Sequence, residues 1–90
     1  MSVERVAIIG LGLLGGSIGL AIAERASAIV TTGYDRDPDV RAAAQARGLA
    51  NEVCESAADA VAQADLVILC VPVGAMEAAA RELDPHLPKD

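Results

Sequence analysis

Ninety residues, 53 % of them hydrophobic, make one small domain. Nineteen alanines lead the apolar set, completed by Val, Leu and Ile, and with Tyr34 as the single aromatic residue the core is expected to be aliphatic. The net charge of −6 and the scattering of the seven Lys and Arg residues exclude a nucleic-acid surface, which needs clustered cations, and no apolar run reaches the length of a membrane span. Cys54 and Cys70 lack the paired spacing of a metal or redox site, so no metal is expected and the cytoplasm is the default compartment. The opening MSVERV runs into a strand pattern rather than a leader.

In chain order, strand and helix patterns alternate. Residues 3–10, VERVAIIG, read as a short apolar strand of the kind buried on both faces of a parallel sheet. Residues 15–26 read as a helix with Ile18 and Ile22 four apart, and the β-branched AIVTTGYD, 28–35, as a second strand. Residues 37–48 carry full helix punctuation. Asp37 is the N-cap, Pro38 the first helical residue, Asp39 lies in the first turn, Arg47 in the last, and Gly48 terminates. LANEV, 49–53, is a short third strand, and the spacing Ser56-x-x-Asp59 starts a helix through Gln63. ADLVILCVPV, 64–73, is the fourth strand, followed by a helix over 74–84 that Pro85 and Pro88 end.

This alternation predicts right-handed crossovers and an α/β fold: a partial, Rossmann-like, doubly wound parallel sheet of about four strands in the order 3-2-1-4, with helices on both faces. Residues 1–90 form one dinucleotide-binding domain with no linker or repeat. Pro88, Lys89 and Asp90 read as the turn before a fifth strand. Without that strand, residues 66–71 form an exposed apolar edge expected to recruit another chain.

The candidate site is Gly10-x-Gly12-x-x-Gly15, placed between the first strand and the first helix. Gly10 permits the tight turn, Gly12 lets a pyrophosphate approach the backbone, and Gly15 brings helix and strand together. With Leu11, Leu13 and Leu14 these residues present helix-start N–H groups to the phosphates. Gly16 and Gly19 extend the small face toward the sheet, and Ser17 is either a phosphate donor or a structural first-turn residue. Asp35, twenty residues after Gly15, can accept both ribose hydroxyls and repel a 2′-phosphate, which favours NAD; the adjacent Arg36 keeps NADP open. Val71, Pro72 and Val73 end the fourth strand where the nicotinamide half of a cofactor would pass. His86 lies in a proline-flanked turn without a nucleophile or carboxylate partner, and reads as an exposed loop residue. Met76 and the alanines of the last helix read as packing, and Glu24, Glu52, Glu55, Glu77 and Glu82 as solvated faces.

Together, IIGLGLLGGSIGLAI, GYDRD at the end of the second strand, and ADLVILCVPV followed by a helix and LDPHLP resemble the prephenate dehydrogenase family. The run Gly12-Leu13-Leu14-Gly15-Gly16-Ser17 is more specific than a glycine triplet. The resemblance covers essentially all 90 residues but only the amino-terminal part of such an enzyme. It implies NAD(P)-dependent oxidative decarboxylation of prephenate to 4-hydroxyphenylpyruvate, or of arogenate to tyrosine, by a homodimer in tyrosine biosynthesis. Carried over, Gly10, Gly12 and Gly15 match the phosphate loop, Asp35 and Arg36 the adenosine-ribose corner, and Val71 to Val73 the nicotinamide-side strand end. In relatives the catalytic histidine, the substrate-carboxylate arginine and the helical dimerisation domain lie downstream, and His86 does not match that histidine. No catalytic residue is therefore assigned within 1–90, and the chain alone is expected to be inactive. Two alternatives stand beside this reading: a fragment of another β-hydroxyacid-type dehydrogenase, and a non-catalytic module that senses NAD or another nucleotide.

Overall fold

Strand β1, Arg5–Ile9, is the centre of the molecule, and its alternating side chains feed two cores. Ala7 and Ile9 point to one face, where they meet Ala57, Ala60, Val61 and Leu83; Val6 and Ile8 point to the other, against Leu11, Ala44 and Leu49. All four are buried, as an apolar run in a doubly covered parallel strand requires. The computed structural model describes residues 3–87. After β1 come α1 (Leu13–Arg25), β2 (Val30–Tyr34), α2 (Pro38–Arg47), β3 (Glu52–Val53), α3 (Ala57–Val61), β4 (Leu66–Leu69) and α4 (Val73–Leu83), then a 3₁₀ turn over Asp84–His86.

The four strands form one sheet in the order β3-β2-β1-β4, and every pairing is parallel. Ile9 lies beside both Tyr34 and Leu69, so β1, β2 and β4 end level and open a shared rim. Ile18, Ile22 and Val40 place α1 and α2 on the Ile8 face, whereas α3 and Leu83 of α4 cover the Ile9 face. The expected order, parallel direction and two-sided helix cover are all present. Among the described residues no helix is long and apolar enough to cross a membrane.

Local chemistry sets the helix ends. The Asp37 carboxylate accepts from the Asp39 N–H at 2.9 Å, and Gly48 closes α2 with φ +65°. Ser56 Oγ accepts from the Asp59 N–H at 3.1 Å to start α3. Between elements, side chains replace missing ladder bonds. Asn51 accepts from the Thr31 N–H at 2.8 Å and donates its own N–H to the Thr31 hydroxyl, which satisfies the buried threonine. One Asp65 oxygen accepts from the N–H groups of Glu4 and Arg5, both at 2.9 Å, tying the start of β4 to that of β1.

Several expectations are corrected. The strands are shorter than their apolar runs: β4 stops at Leu69 because Pro72 has no N–H to continue a ladder, and β3 spans two residues. Helix α1 starts at Leu13, so Gly15 lies in its first turn, and α3 ends at Val61 rather than Gln63. Gly16 and Gly19 do not meet the sheet chiefly. A Cβ on Gly19 would overlap the Leu49 carbonyl oxygen, and one on Gly16 would lie 2.9 Å from a Leu49 methyl. Met76 of the last helix is 39 % exposed rather than packed, and the helix reaches the core through Leu83. The turn expected at Pro88–Asp90 lies outside the described residues.

Candidate nucleotide site at the strand ends

Gly10 leaves β1 with φ +100°, a conformation that side chains disfavour, and donates its N–H to the Tyr34 carbonyl at 2.8 Å. A Cβ there would strike the Cys70 carbonyl, so the residue threads between the ends of β2 and β4. Gly15 is bare for a second reason: a Cβ would overlap the Gly10 carbonyl oxygen and crowd an Ile8 methyl at 3.4 Å. Gly12 differs from both, since no atom lies within 4 Å of where its Cβ would be. A methyl there would stand in open space at the N-cap of α1.

That space faces a helix start without a cap. Gly12 has no side chain to accept from the first turn of α1, unlike Asp37 and Ser56 in the next two helices. The first intrahelical bond runs from the Gly16 N–H to the Gly12 carbonyl at 2.8 Å. The N–H groups of Leu13, Leu14 and Gly15 therefore have no intrahelical acceptor, and the positive end of the helix dipole adds to their pull on an anion. Leu13 and Leu14 are exposed, Leu13 by 93 %, so their side chains leave this backbone uncovered.

Asp35 follows the last residue of β2. Its Oδ2 accepts from the Leu11 N–H at 2.9 Å and its Oδ1 from the Asp37 N–H at 2.9 Å. The carboxylate is thus turned toward the glycine loop and held there. Leu11 contributes only main chain, because its side chain is buried against Gly33. A groove of about 270 Å³ opens along this corner, walled by Gly10, Asp35 and Arg36 on one side and by Cys70, Val71 and Pro72 on the other. Ala75, Ala78 and Ala79 of α4, read as packing residues, line this groove, and the exposed Glu82 borders it. Gly12, Leu13 and Ser17 line a separate depression between α1 and α2. Val73 is the first residue of α4. His86 is exposed in the 3₁₀ turn, away from the groove lining. Burial pushes the Cys70 thiol up, away from the reactive thiolate form.

Sequence reasoning missed Arg41. From α2 its Nη1 donates to the Asp35 carbonyl at 2.8 Å, and its guanidinium carbon lies 5.6 Å from the centroid of the Tyr34 ring. Nothing in the spacing of a first-turn arginine singles it out; the contact exists only once α2 folds back onto the end of β2.

A bare loop against an uncapped helix, with a strand-end carboxylate turned onto that loop, defines a nucleotide-binding domain of the Rossmann type. The family model for "Prephenate dehydrogenase, nucleotide-binding domain" matches residues 18–90. The chain is 42 % identical over 87 residues to a cyclohexadienyl dehydrogenase from Zymomonas mobilis subsp. mobilis, a match covering 97 % of this chain and 30 % of that protein. Its fold matches the crystal structure of Synechocystis arogenate dehydrogenase with a TM-score of 0.86 at 25 % identity, covering 94 % of this chain and 30 % of that one. It matches A. aeolicus prephenate dehydrogenase, solved in complex with hydroxyphenyl propionate and NAD+, with a TM-score of 0.85 at 27 % identity, covering 98 % and 31 %. The chain belongs to the prephenate dehydrogenase family, as its nucleotide-binding domain. It spans about 30 % of the length of the curated relative it matches.

Proposed function

We propose that this chain binds NAD by its adenosine diphosphate half and forms the cofactor-binding part of a dehydrogenase that oxidatively decarboxylates prephenate or arogenate. The observation that carries the reading is the 2.9 Å bond from the Leu11 N–H to Asp35 Oδ2, which ties the acid to the main chain of the glycine loop. Each Asp35 oxygen accepts one backbone N–H, which leaves lone pairs to accept from ribose hydroxyls. The N–H groups of Leu13, Leu14 and Gly15 suit the pyrophosphate, and the bareness of Gly12 suits its close approach. Val71 and Pro72 line the groove beyond the end of β4, and Val73, assigned with them to the nicotinamide side, opens α4. Arg36 at the groove gives a 2′-phosphate a cation, but the fixed negative charge of Asp35 opposes it, so NAD is the preferred cofactor and NADP the weaker one.

When bound, the nicotinamide supplies a hydride acceptor. The residues of this chain hold and orient the dinucleotide, and none is assigned a proton-transfer role. The region of the relatives beyond the matched 30 % supplies, on this reading, the catalytic groups and the contacts of a homodimer. The free thiols of Cys54 and Cys70 accord with a reducing, cytoplasmic setting. The test is calorimetric titration of NAD and NADP into the chain and into Asp35→Ala. NAD is expected to bind more tightly than NADP and to weaken about tenfold or more in the variant, the scale of a charge-assisted hydrogen bond. Equal NAD affinity in parent and variant would remove the ribose assignment.

A further inference from the structure

The carboxylate that reads the ribose is only as well placed as the peptide that carries it. Asp35 sits where β2 has ended and α2 has not begun, so no ladder or helix bond fixes its carbonyl. Arg41 does so instead, through a charge-assisted bond of 2.8 Å from Nη1. The same guanidinium rests over the Tyr34 ring at 5.6 Å, so its own position is set by the last residue of β2. Arg41 is half-buried, whereas Arg36 is exposed at the groove. The two arginines therefore have different tasks.

We propose that Arg41 is a positioning residue for the nucleotide site: by holding the Asp35 carbonyl it keeps the carboxylate on the Leu11 N–H and so sets recognition of the ribose 2′-hydroxyl. This rests on the dinucleotide reading above. Rotation of the Asp35 peptide would swing the side chain off Leu11, and the remaining tie, from the exposed Asp37 N–H to Oδ1, spans only two residues and moves with the same turn. Removing the Arg41 head group should therefore blur the preference for a ribose hydroxyl while leaving the phosphate contacts of α1 in place.

Calorimetric titration of ADP and of 2′-deoxy-ADP into the chain measures that preference directly. The parent is expected to favour ADP by about tenfold, the value of a hydrogen bond to a charged acceptor. In Arg41→Met the ratio should fall to about threefold or less. Arg41→Lys, which keeps one donor and a cation over the ring, should retain most of it. Methionine and lysine are both good helix formers at this position of α2. Should Arg41→Met still not fold, Tyr34→Leu keeps an apolar residue against the core, takes away the aromatic platform for the guanidinium, and is expected to lower the ratio part of the way; an unchanged ratio there overturns the proposal. A ratio in Arg41→Met equal to that of the parent, or equal weakening of both nucleotides, overturns it while leaving the dinucleotide reading intact. A parent that does not distinguish ADP from its deoxy form overturns the ribose assignment of Asp35 and this proposal with it.

Discussion

The same substitution at two glycines of one motif should have separable effects. At Gly15 an added methyl overlaps the Gly10 carbonyl oxygen, a backbone atom with no rotamer to give, and also meets an Ile8 methyl at 3.4 Å. Relief requires the first turn of α1 to move away from β1. Overpacking of this kind costs about 1–3 kcal/mol, and a rigid partner places it at the upper end, about 3 kcal/mol. The better helix propensity of alanine returns about 1 kcal/mol, leaving Gly15→Ala about 2 kcal/mol less stable. For a domain of this size that lowers the melting temperature by roughly 8–16 °C. At Gly12 the methyl meets no protein atom within 4 Å, and its φ of −72° suits alanine. Gly12→Ala should therefore keep its stability to within about 1 kcal/mol, the difference between glycine and alanine at an N-cap. Its methyl nevertheless occupies the space assigned to the pyrophosphate, and NAD affinity should drop about tenfold or more, as for loss of one good charge-assisted contact. Thermal melting by circular dichroism and calorimetric titration separate the two effects. If Gly12→Ala bound NAD like the parent, the phosphates could not lie against Gly12; if Gly15→Ala melted like the parent, the close contact of α1 with Gly10 would be wrong.

Two further outcomes follow from the sheet. Bonds from the Glu4 and Arg5 N–H groups hold the Asp65 carboxyl below its usual value of 3.8, so the folded state favours its ionised form. That stabilisation is present above about the usual value and is lost as the pH falls through the lowered one; denaturant titrations between neutral pH and below pH 4 should show a shallower acid loss for Asp65→Ala than for the parent. A parallel slope in both would show that the bonds to Glu4 and Arg5 carry no linkage. Strand β4 lies at the edge of the sheet with Leu66 46 % exposed, and such an edge accepts a further strand. Sedimentation velocity on this chain should show concentration-dependent association that Leu66→Lys suppresses, whereas a parent that stays monomeric at every concentration would refute the edge argument.

What residues declare through near neighbours was legible without coordinates. Asp37, Pro38 and Gly48 bracket α2, Ser56 and Asp59 start α3, and the glycine spacing marks the turn out of β1, because caps and turns are settled within three or four residues. The alternation of apolar strands with capped helices also implied the order 3-2-1-4, since right-handed crossovers leave few arrangements. The strand ends were less legible, because pairing rather than composition ends a ladder: Cys70 still donates to the Ile9 carbonyl at 2.7 Å, yet Pro72 cannot continue.

Composition and spacing thus determined by themselves the fold class and a loop stripped of side chains beside an acid, and the motifs around them carried the resemblance to the family. Only the tertiary structure decided that Asp35 points at Leu11, 24 residues away, that Arg41 braces it, that Asp65 ties β4 to the start of β1, and that Ala75, Ala78 and Ala79 of α4 line a groove. The physical reason is reach. A cap or a turn is written in adjacent residues, whereas these contacts join groups whose separation along the chain says nothing until strand pairing and helix packing have set their separation in space.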